Sequence, residues 1–435
     1  MTALNVRDFG AVGDGNTDDT DAIQAALDEA YGTADAPHGG SEGRYANRAV
    51  YFPNGWYITS RPLTLRSVAG AHIYGEGRLS TNIQNNTPES SVLVTNGMMY
   101  SKVERLSLTG KLSGTGSVFD MNWDNTGSAS LQSNTFADVS FGGGSYGLKI
   151  GDGGYMGSEI LILNCYLNAC AVAGIYVGNY NAIAISVIGG NISECDKGIW
   201  VKHGGGMAIV GTGFQLNRAF DIHIENGGQD GWDISGARSE SKNFLCAQPD
   251  STVAIVGCTH VGPEEGYFAK DCGSKISIIN SYSRYGKIHG ASSLSLINSR
   301  FDNPDWNEWY GPIGREPSST PVMSAASDTT LKAAQSGTVF TNHGASGEVV
   351  FTLPSDTSTS YRIPAGTWFG FAVDAARPLK VRAGAGWTVR VAGKESRWAG
   401  EASSSTVGNY LEVMCLAEGG AAWIARSAVG SWAVS

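Results

Sequence analysis

Seven segments of the chain, ILNCYLN (162–168), VIGGNIS (187–193), IVGTGFQ (209–215), ISGARSE (234–240), IVGCTHV (255–261), IINSYSR (278–284) and LINSRFD (296–302), stack on one another without internal gaps. One column of this stack reads Asn164, Gly189, Gly211, Gly236, Gly257, Asn280 and Asn298. Glycine and asparagine take left-handed backbone angles most readily, so each marks a bend between two short strands. Two positions earlier stand Ile162, Val187, Ile209, Ile234, Ile255, Ile278 and Leu296, all branched aliphatics, which places that column inside, stacked along an axis. One position after the bend, Cys165, Gly190, Thr212, Ala237, Cys258, Ser281 and Ser299 are all small, as a crowded interior corner requires. Successive bends lie 25, 22, 25, 21, 23 and 18 residues apart, a coil length suited to a β-solenoid.

Alternation puts the second and fourth positions after each bend on the outer face. A second strand per coil shows in GIYV, GIWV, DIHI and GYFA, with mostly apolar inward residues and Tyr176, Trp200, His223 and Phe268 pointing outward. Such rings would either stack on sugars or be buried against a neighbouring subunit, and a ladder of aromatics is seldom left in water. The solenoid is expected over residues 50–302.

Composition agrees with many short strands and turns. Glycine supplies 59 of 435 residues with no three-residue period, which excludes collagen. Only 16% of residues are charged and 42% are hydrophobic, enough for a core, and helical bundles are disfavoured. The net charge of −10 and the lack of any Lys/Arg cluster argue against a nucleic-acid partner. No apolar run approaches the roughly 18 residues of a membrane helix, so no membrane insertion is expected. Seven cysteines (165, 170, 195, 246, 258, 272 and 415) are spread singly, with no CxxC and no zinc spacing. They are expected to be mostly reduced and buried, with Cys165 and Cys258 serving packing, and no metal or cofactor is expected. The opening MTALNVRDFG lacks a basic region followed by an apolar run, so no signal peptide is expected and synthesis is placed in a cytoplasm.

Residues 5–30, NVRDFGAVGDGNTDDTDAIQAALDEA, pass from a strand through turns at Gly10, Gly13 and Gly15 into a helix. Asp18 or Asp19 would cap it, and Ala22, Ile23, Ala26, Leu27 and Ala30 fall on one face. A lone helix before an all-β chain needs an apolar surface, so it is expected to plug an open end of the stack; an acidic metal site at Asp14, Asp18 and Asp19 is the sharper alternative. The stretch FGAVGDGNTDDTDAIQAAL (9–27) is similar to the opening of the pectate-lyase-like right-handed parallel β-helix proteins. VYFPNGWYITSRPLTL (50–65) and HIYGEG (72–77) match that family's next elements in order. The resemblance implies the fold without implying one reaction, because the family includes hydrolases, lyases, epimerases and non-catalytic phage proteins.

Composition shifts after residue 302. Residues 303–322 carry four prolines and the aromatics Trp306, Trp309 and Tyr310, which read as a linker or collar. Residues 323–435 lose the coil repeat and show alternating strands such as GEVVFTLP, TWFGFAV, LKVRA and YLEVMCLA, the pattern of a small β-sandwich. VVFTLP, WTVRVAG, YLEVMCLA and AAWIARSAVGSW resemble the terminal domains of phage tail spikes and fibres, which implies trimerisation or host-glycan binding. The expected organisation is an all-β chain: an N-terminal strand and capping helix (1–49), a parallel β-helix (50–302), a linker (303–322) and a C-terminal β-sandwich (323–435).

The outer columns supply the candidate site. The second position reads Tyr166, Asn191, Gly213, Arg238, Thr259, Tyr282 and Arg300; the fourth reads Asn168, Ser193, Gln215, Glu240, Val261, Arg284 and Asp302. Amide, guanidinium, carboxylate and aromatic groups together suit sugar hydroxyls and uronate carboxylates, so Asn191, Gln215, Tyr282, Arg284, Arg300 and Asp302, with Trp200 and His223, are the expected substrate-binding residues. The same side chains also fit a solvated ion-pair ladder. Glycoside hydrolysis needs two carboxyls, about 6.5–9.5 Å apart in inverting enzymes. Glu240 and Asp302 lie three coils apart, roughly 14 Å, which is too far. Glu194 and Glu240 lie two coils apart, at least about 10 Å, which long side chains would close. They form the preferred pair, one protonating the leaving oxygen and the other activating water, with Asp196 and Glu264 as substitutes. A lyase route would instead draw on Arg238, Arg284, Tyr282 and His223. The acidic cluster of calcium-assisted lyases and the Asp-Asp and Gly-His-Gly segments of pectinases are missing, and KHGGG around His203 is only a superficial likeness.

The resemblances therefore imply a homotrimeric phage tail spike, carried in the virion tail on other tail proteins. It would bind a bacterial surface polysaccharide at the cell surface and depolymerise it as a hydrolase or lyase. The alternatives are a non-catalytic adhesive tail fibre and a monomeric cellular polysaccharide hydrolase or lyase.

Overall fold

The computed structural model describes residues 3–33, 48–124, 129–151, 157–227, 231–248, 251–270, 274–285, 287–289, 293–297, 299–301, 313–315, 322–355, 363, 365–416 and 422–435. The chain forms two compact units. The first comprises Met1–Lys275, Asn280–His289 and Arg300–Pro304; the second comprises Ile276–Ile279, Gly290–Ser299 and Asp305–Ser435.

The first unit is a right-handed parallel β-helix, and its register follows the aliphatic column. Ile162 pairs with Val187, Val187 with Ile209, Ile209 with Ile234, and Ile234 with Ile255, all in parallel and all buried. The bend residues between these strands and the next take left-handed angles: Asn164 has φ 50°, Gly189 64°, Gly211 64°, Gly236 61°, Gly257 62° and Asn280 49°. Asn298 lies outside the described residues. The bend runs two coils further toward the N-terminus than the Gly/Asn column does. Arg105 (φ 55°) and Asp138 (φ 54°) take the same place within the strands Lys102–Thr109 and Thr135–Gly142. The sheet also starts early, because Leu4–Asn5 pairs with Val50–Phe52 and Asp14–Asp18 with Gly55–Thr59.

The helix α1, Thr20–Tyr31, buries Ile23, Ala26, Leu27 and Ala30 against the first strands of the stack. Gln24 treats the edge strand Leu63–Ala69 as a partner, donating to the Thr64 carbonyl (3.0 Å) and accepting from the Thr64 amide (2.9 Å). The two acidic residues at its start divide the work expected of one cap. Asp18 accepts from the Thr20 amide (3.0 Å), whereas Asp19 stands at the N-cap and turns its carboxylate to the amides of Val12 (2.6 Å) and Gly13 (3.0 Å).

A second parallel sheet flanks the first, with strands that include Tyr146–Ile150, Ala173–Gly178, Lys197–His203, Phe220–Ile224, Asn243–Ala247 and Tyr267–Ala269. Tyr176, Trp200 and His223 align on its outer face. Phe268 does not. Asn243 pairs with Tyr267 and Leu245 with Ala269, so GYFA sits two residues out of the register its spelling suggests. Phe268 is fully buried against Phe244 (5.4 Å), His260 (6.1 Å) and Phe301 (5.6 Å). Aromatic bulk is drawn inward here because the interior at this height is lined by rings.

Between the two sheets three successive coils bend again, at Ala169 (φ 55°), Glu194 (φ 56°) and Leu216 (φ 55°). The residues that follow turn inward as Cys170, Cys195 and Asn217, all buried. Asn217 opens a polar run inside the solenoid. Its side chain accepts from the Cys195 amide (3.1 Å) and donates to Asp221 (2.9 Å), while the Ser239 hydroxyl bonds the other Asp221 oxygen. His260 continues the run between Ser283 (3.2 Å) and the Ser241 carbonyl (3.2 Å). Asp221 is wholly buried, and burial pushes its carboxyl up to about 7 against the hydrogen bonds from Ser239, Ser241 and Asn217.

The second unit holds a β-sandwich of two sheets. One orders Val322–Ser324, Thr338–Thr341, Trp368–Ala372, Tyr410–Cys415, Ala422–Val429, Thr388–Val391 and Lys394–Glu395; the other orders Thr329–Thr330, Val349–Thr352, Leu379–Arg382, Glu401–Ser404 and Ala433–Val434. Both mix parallel and antiparallel pairs. Phe340, Phe351, Phe369, Phe371, Trp387 and Trp423 fill the space between them. Most of the expected collar, including Trp306, Trp309 and Tyr310, lies outside the described residues.

Two stability predictions follow from the bend and the buried acid. A Cβ at Gly211 would meet nothing within 4 Å, so only its left-handed backbone penalises a side chain. Gly211→Ala should cost about 1 kcal/mol in denaturant unfolding, and Gly211→Asn clearly less. Asp221 keeps its proton in the folded chain at pH values where the unfolded chain has lost it. Its stabilising contribution is therefore full below about pH 4 and is lost as pH rises through about 7, by up to roughly 1.4 kcal/mol per pH unit. Unfolding midpoints from about pH 5 to 8 should fall in the wild type and fall less in Asp221→Asn. Burial of His260 lowers its pKa and acts in the opposite sense, weakening the fold toward acid in both proteins.

Candidate functional site

The outer columns stand where the alternation put them. Tyr166 pairs with Asn191, Asn191 with Gly213, Gly213 with Arg238, Arg238 with Thr259, Thr259 with Tyr282, and Tyr282 with Arg300. In the fourth column Asn168 pairs with Ser193 and Ser193 with Gln215, and Glu240 follows one coil on. Three of these side chains meet. Arg238 donates to one Glu240 oxygen from Nε (3.0 Å) and a terminal nitrogen (2.8 Å), and Gln215 reaches the other (3.5 Å). The set is open to water, with the Arg238 side chain 60% and the Glu240 side chain 40% exposed. Further along, the Arg300 guanidinium lies 5.9 Å from the Tyr282 ring centre, and Arg284 is exposed beside Tyr285. Asp302 lies outside the described residues.

Glu194 does not share the face of Glu240. It occupies the second bend, where the chain turns the corner toward the second sheet, and its side chain is exposed. Two coils separate it from Glu240, a backbone distance of about 10 Å. Asp196, on the same corner, pairs with Lys197 (3.2 Å) and faces Arg218 (3.9 Å). Lys197 in turn lies 4.5 Å from the Trp200 ring. Trp200 is therefore linked to Asp196 through Lys197, and both lie around the corner from Arg238 and Glu240. The Tyr146, Tyr176 and Trp200 rings pack on one another at 4.8 and 5.1 Å, leaving Tyr176 only 3% exposed. His223 sits beside Phe220 (5.3 Å) and Glu225 (4.0 Å). Glu264 is exposed on a separate turn. The predicted residues thus fall into an open strip around Gln215, Arg238 and Glu240 and an ionic corner around Asp196 and Trp200.

The repeat reading began at Asn164 and so passed over the earlier coils. There the second column continues through Trp56, Asn82, Ser107 and Ser140 to Tyr166. Trp56 is 52% exposed and donates to Gln84 (2.7 Å), and Thr109 donates to Asn82 (2.8 Å). Arg78 spans several coils, pairing with Asp138 (3.2 Å) and lying 3.7 Å from the Tyr166 ring centre. On the other side of the bend His72 and Lys102 both hold Glu104, at 2.9 and 2.8 Å. Burial works to raise the Glu104 carboxyl, but the Lys102 and His72 bonds outweigh it and set it below its ordinary value. Tyr74 stacks between His72 (4.9 Å) and Tyr51 (5.1 Å), and Tyr51 bonds Glu76, which pushes its hydroxyl up to about 12. Only the spelling HIYGEG hinted at this cluster. Among the described residues no three His, Cys, Asp or Glu side chains converge as metal ligands, and Asp14, Asp18 and Asp19 turn to Thr17, Ser60 and the Gly13 loop instead.

Residues 3–126 match the family model described as Rhamnogalacturonase A/epimerase, pectate lyase-like. Alginate lyase 7 of Azotobacter vinelandii is 52% identical over 56 residues, 13% of this chain and 5% of that protein. Mannuronan C5-epimerase AlgE2 of the same organism is 45% identical over 87 residues, 18% of this chain and 7% of that protein. The chain thus spans less than a tenth of the length of these two relatives. Among solved structures, ORF18 of Geobacillus virus E2 aligns with a TM-score of 0.46 at 14% identity, over 99% of this chain and 76% of that one. Residues 3–126 are thus similar to the pectate lyase-like proteins, and the architecture that continues from this opening is the right-handed parallel β-helix.

Proposed function

We propose that this protein binds a bacterial surface polysaccharide along the outer strip of its β-helix and cleaves it, as the homotrimeric tail spike of a phage. The observation that carries the reading is the strip itself. At each step of about 4.8 Å it offers hydroxyl, amide or aromatic groups, from Trp56 through Asn82, Tyr166 and Asn191 to Gln215, with guanidinium groups at Arg78 over the Tyr166 ring and at Arg238 beside Glu240. A repeating row of donors and acceptors suits a repeating polyol, and the guanidinium suits a uronate carboxylate. Support of a different kind comes from the relatives, whose names describe an alginate lyase and a mannuronan epimerase, although each is matched over a short stretch.

In this reading Glu240, oriented by Arg238 and Gln215, activates water, and Glu194 at the corner protonates the leaving oxygen, with Asp196 as its substitute. Asn191, Gln215, Tyr282, Arg284 and Arg300 hold the chain, while Trp200 and His223 border it on the neighbouring face. In a lyase variant of the reaction, Arg238 and Arg284 would neutralise the uronate carboxylate. The open setting of the Arg238–Glu240 pair also favours a second reading, an adhesive fibre that binds without cleaving, since exposed ion pairs are common on solenoid faces.

Digestion of host polysaccharide by the wild type, followed both for new reducing ends and for 4,5-unsaturated product, separates these readings. Hydrolysis yields the first without the second, elimination yields both, and binding without release establishes the adhesin. Glu240→Gln should lower release at least 100-fold while leaving polysaccharide binding within a factor of about three; unchanged release would reject the assignment. Light scattering on the eluting protein should give three times the chain mass, and a monomer would reject the tail-spike assembly.

A further inference from the structure

The second bend turns Cys170 and Cys195 into the same place in successive coils. Asn168 pairs in register with Ser193, and each cysteine follows two residues later, across the left-handed Ala169 and Glu194. Both are 0% exposed. Each thiol donates to the carbonyl two residues before it, Cys170 to Asn168 (3.5 Å) and Cys195 to Ser193 (3.3 Å), so the sulfurs sit over a matched pair of strand ends. The two sulfurs are also near enough for each to shift the other's ionisation. Adjacent coils are about 4.8 Å apart, inside the Cα separation of about 4.4–6.8 Å that a disulfide spans.

Arg218, one coil on, fixes this arrangement from outside. Its two terminal nitrogens donate to the carbonyls of Glu194 (3.2 Å) and Ala171 (3.1 Å), clamping together the two turns that carry the cysteines. The Arg218 side chain is 58% exposed, so solvent lies on the far side of that clamp. No comparable neighbour exists for the other column cysteines: Cys165 is followed by Gly190, and Cys258 lies between Ala237 and Ser281.

We propose that Cys170 and Cys195 form a redox pair that closes into a disulfide between successive coils when the folded protein meets a peroxide. The neighbouring Cys170 lowers the Cys195 thiol despite its burial, while Cys195 and burial raise Cys170, which makes Cys195 the attacking sulfur. Its thiolate attacks one oxygen of hydrogen peroxide, breaking the O–O bond and expelling hydroxide, which takes up the proton released from the thiol as water. The Cys195 sulfenic acid so formed is attacked by the Cys170 sulfur. The S–O bond breaks, the S–S bond forms, and hydroxide leaves with the Cys170 proton as a second water. Two thiols are oxidised by two electrons and one peroxide is reduced. The bond closes a loop of 25 residues and ties one coil to the next. It is independent of what the outer strip binds.

The test uses the reduced full-length protein, treated with hydrogen peroxide and then alkylated while being denatured. Peptide mapping without reductant should recover a Cys170–Cys195 linked pair two hydrogens lighter than its parts, released by dithiothreitol. The unfolding midpoint of the wild type should rise by several degrees on oxidation, and those of Cys170→Ser and Cys195→Ser should not. Recovery of both cysteines as alkylated thiols would overturn the proposal, as would Cys195 sulfinic acid without the link. Should either variant fail to fold, the wild-type peptide map alone decides.

Discussion

A residue held at positive φ recurs in every coil from Arg105 to Asn280, and the rest of the solenoid hangs on it. The bend joins two short strands at a fixed angle. Because the side-chain period of a strand is two, one bend per coil at a constant offset fixes which residues face the core and which face water. A slip of one residue in any coil would carry its aliphatic residue outward and its polar residue inward. The register is therefore enforced twice, by the left-handed backbone and by the stacked Ile162, Val187, Ile209, Ile234 and Ile255.

That double enforcement explains what could be read from the residues and what could not. Where the bend is occupied by glycine or asparagine, its place follows from conformational cost alone, and the inner and outer columns follow by alternation. Arg105 and Asp138 hold the same angle without that preference, because the strands on either side, Lys102–Thr109 and Thr135–Gly142, are paired along nearly their whole length and impose it. Ala169, Glu194 and Leu216 do the same at the second bend, which left no compositional trace. GYFA misled for the complementary reason: its spelling alone matched Phe268 to the His223 column, whereas the paired register sets Phe268 level with the inward Phe244. The strip around Gln215, Arg238 and Glu240 was legible because its contacts join Gln215 to its column neighbour Glu240 and Glu240 to Arg238 two residues earlier in the same coil. The corner was not, because Arg218 acts by reaching across coils to Asp196, Glu194 and Ala171.

The interior is not uniformly oily. Asn217, Asp221, Ser239, Ser241, His260 and Ser283 form a buried polar run, and each additional polar group inside would cost free energy if it lacked a partner. The run is satisfied by bonds that cross from one coil to the next, so it acts as a second register lock alongside the aliphatic column. A protonated Asp221 fits it well. One of its oxygens accepts from the Ser239 hydroxyl and the other from Asn217, and the protonated carboxyl strands no charge. An apolar replacement would fill the volume but remove these bonds between coils, leaving the register to the bends and the aliphatic column.

On the outside the balance is reversed. Exposed pairs such as Arg238 with Glu240 contribute little to folding, on the order of 0–1 kcal/mol, and the strip they belong to is built almost wholly from side chains that the fold does not need. Stability is supplied inside and at the corner clamps, which leaves the outer positions free to vary in chemistry without disturbing the register. A solenoid of this kind separates scaffold from surface coil by coil. A polymer lying along such a surface meets one row of groups per coil, and its selectivity would come from the order of those rows, with amides and hydroxyls between the guanidinium of Arg78 and the Arg238–Glu240 pair.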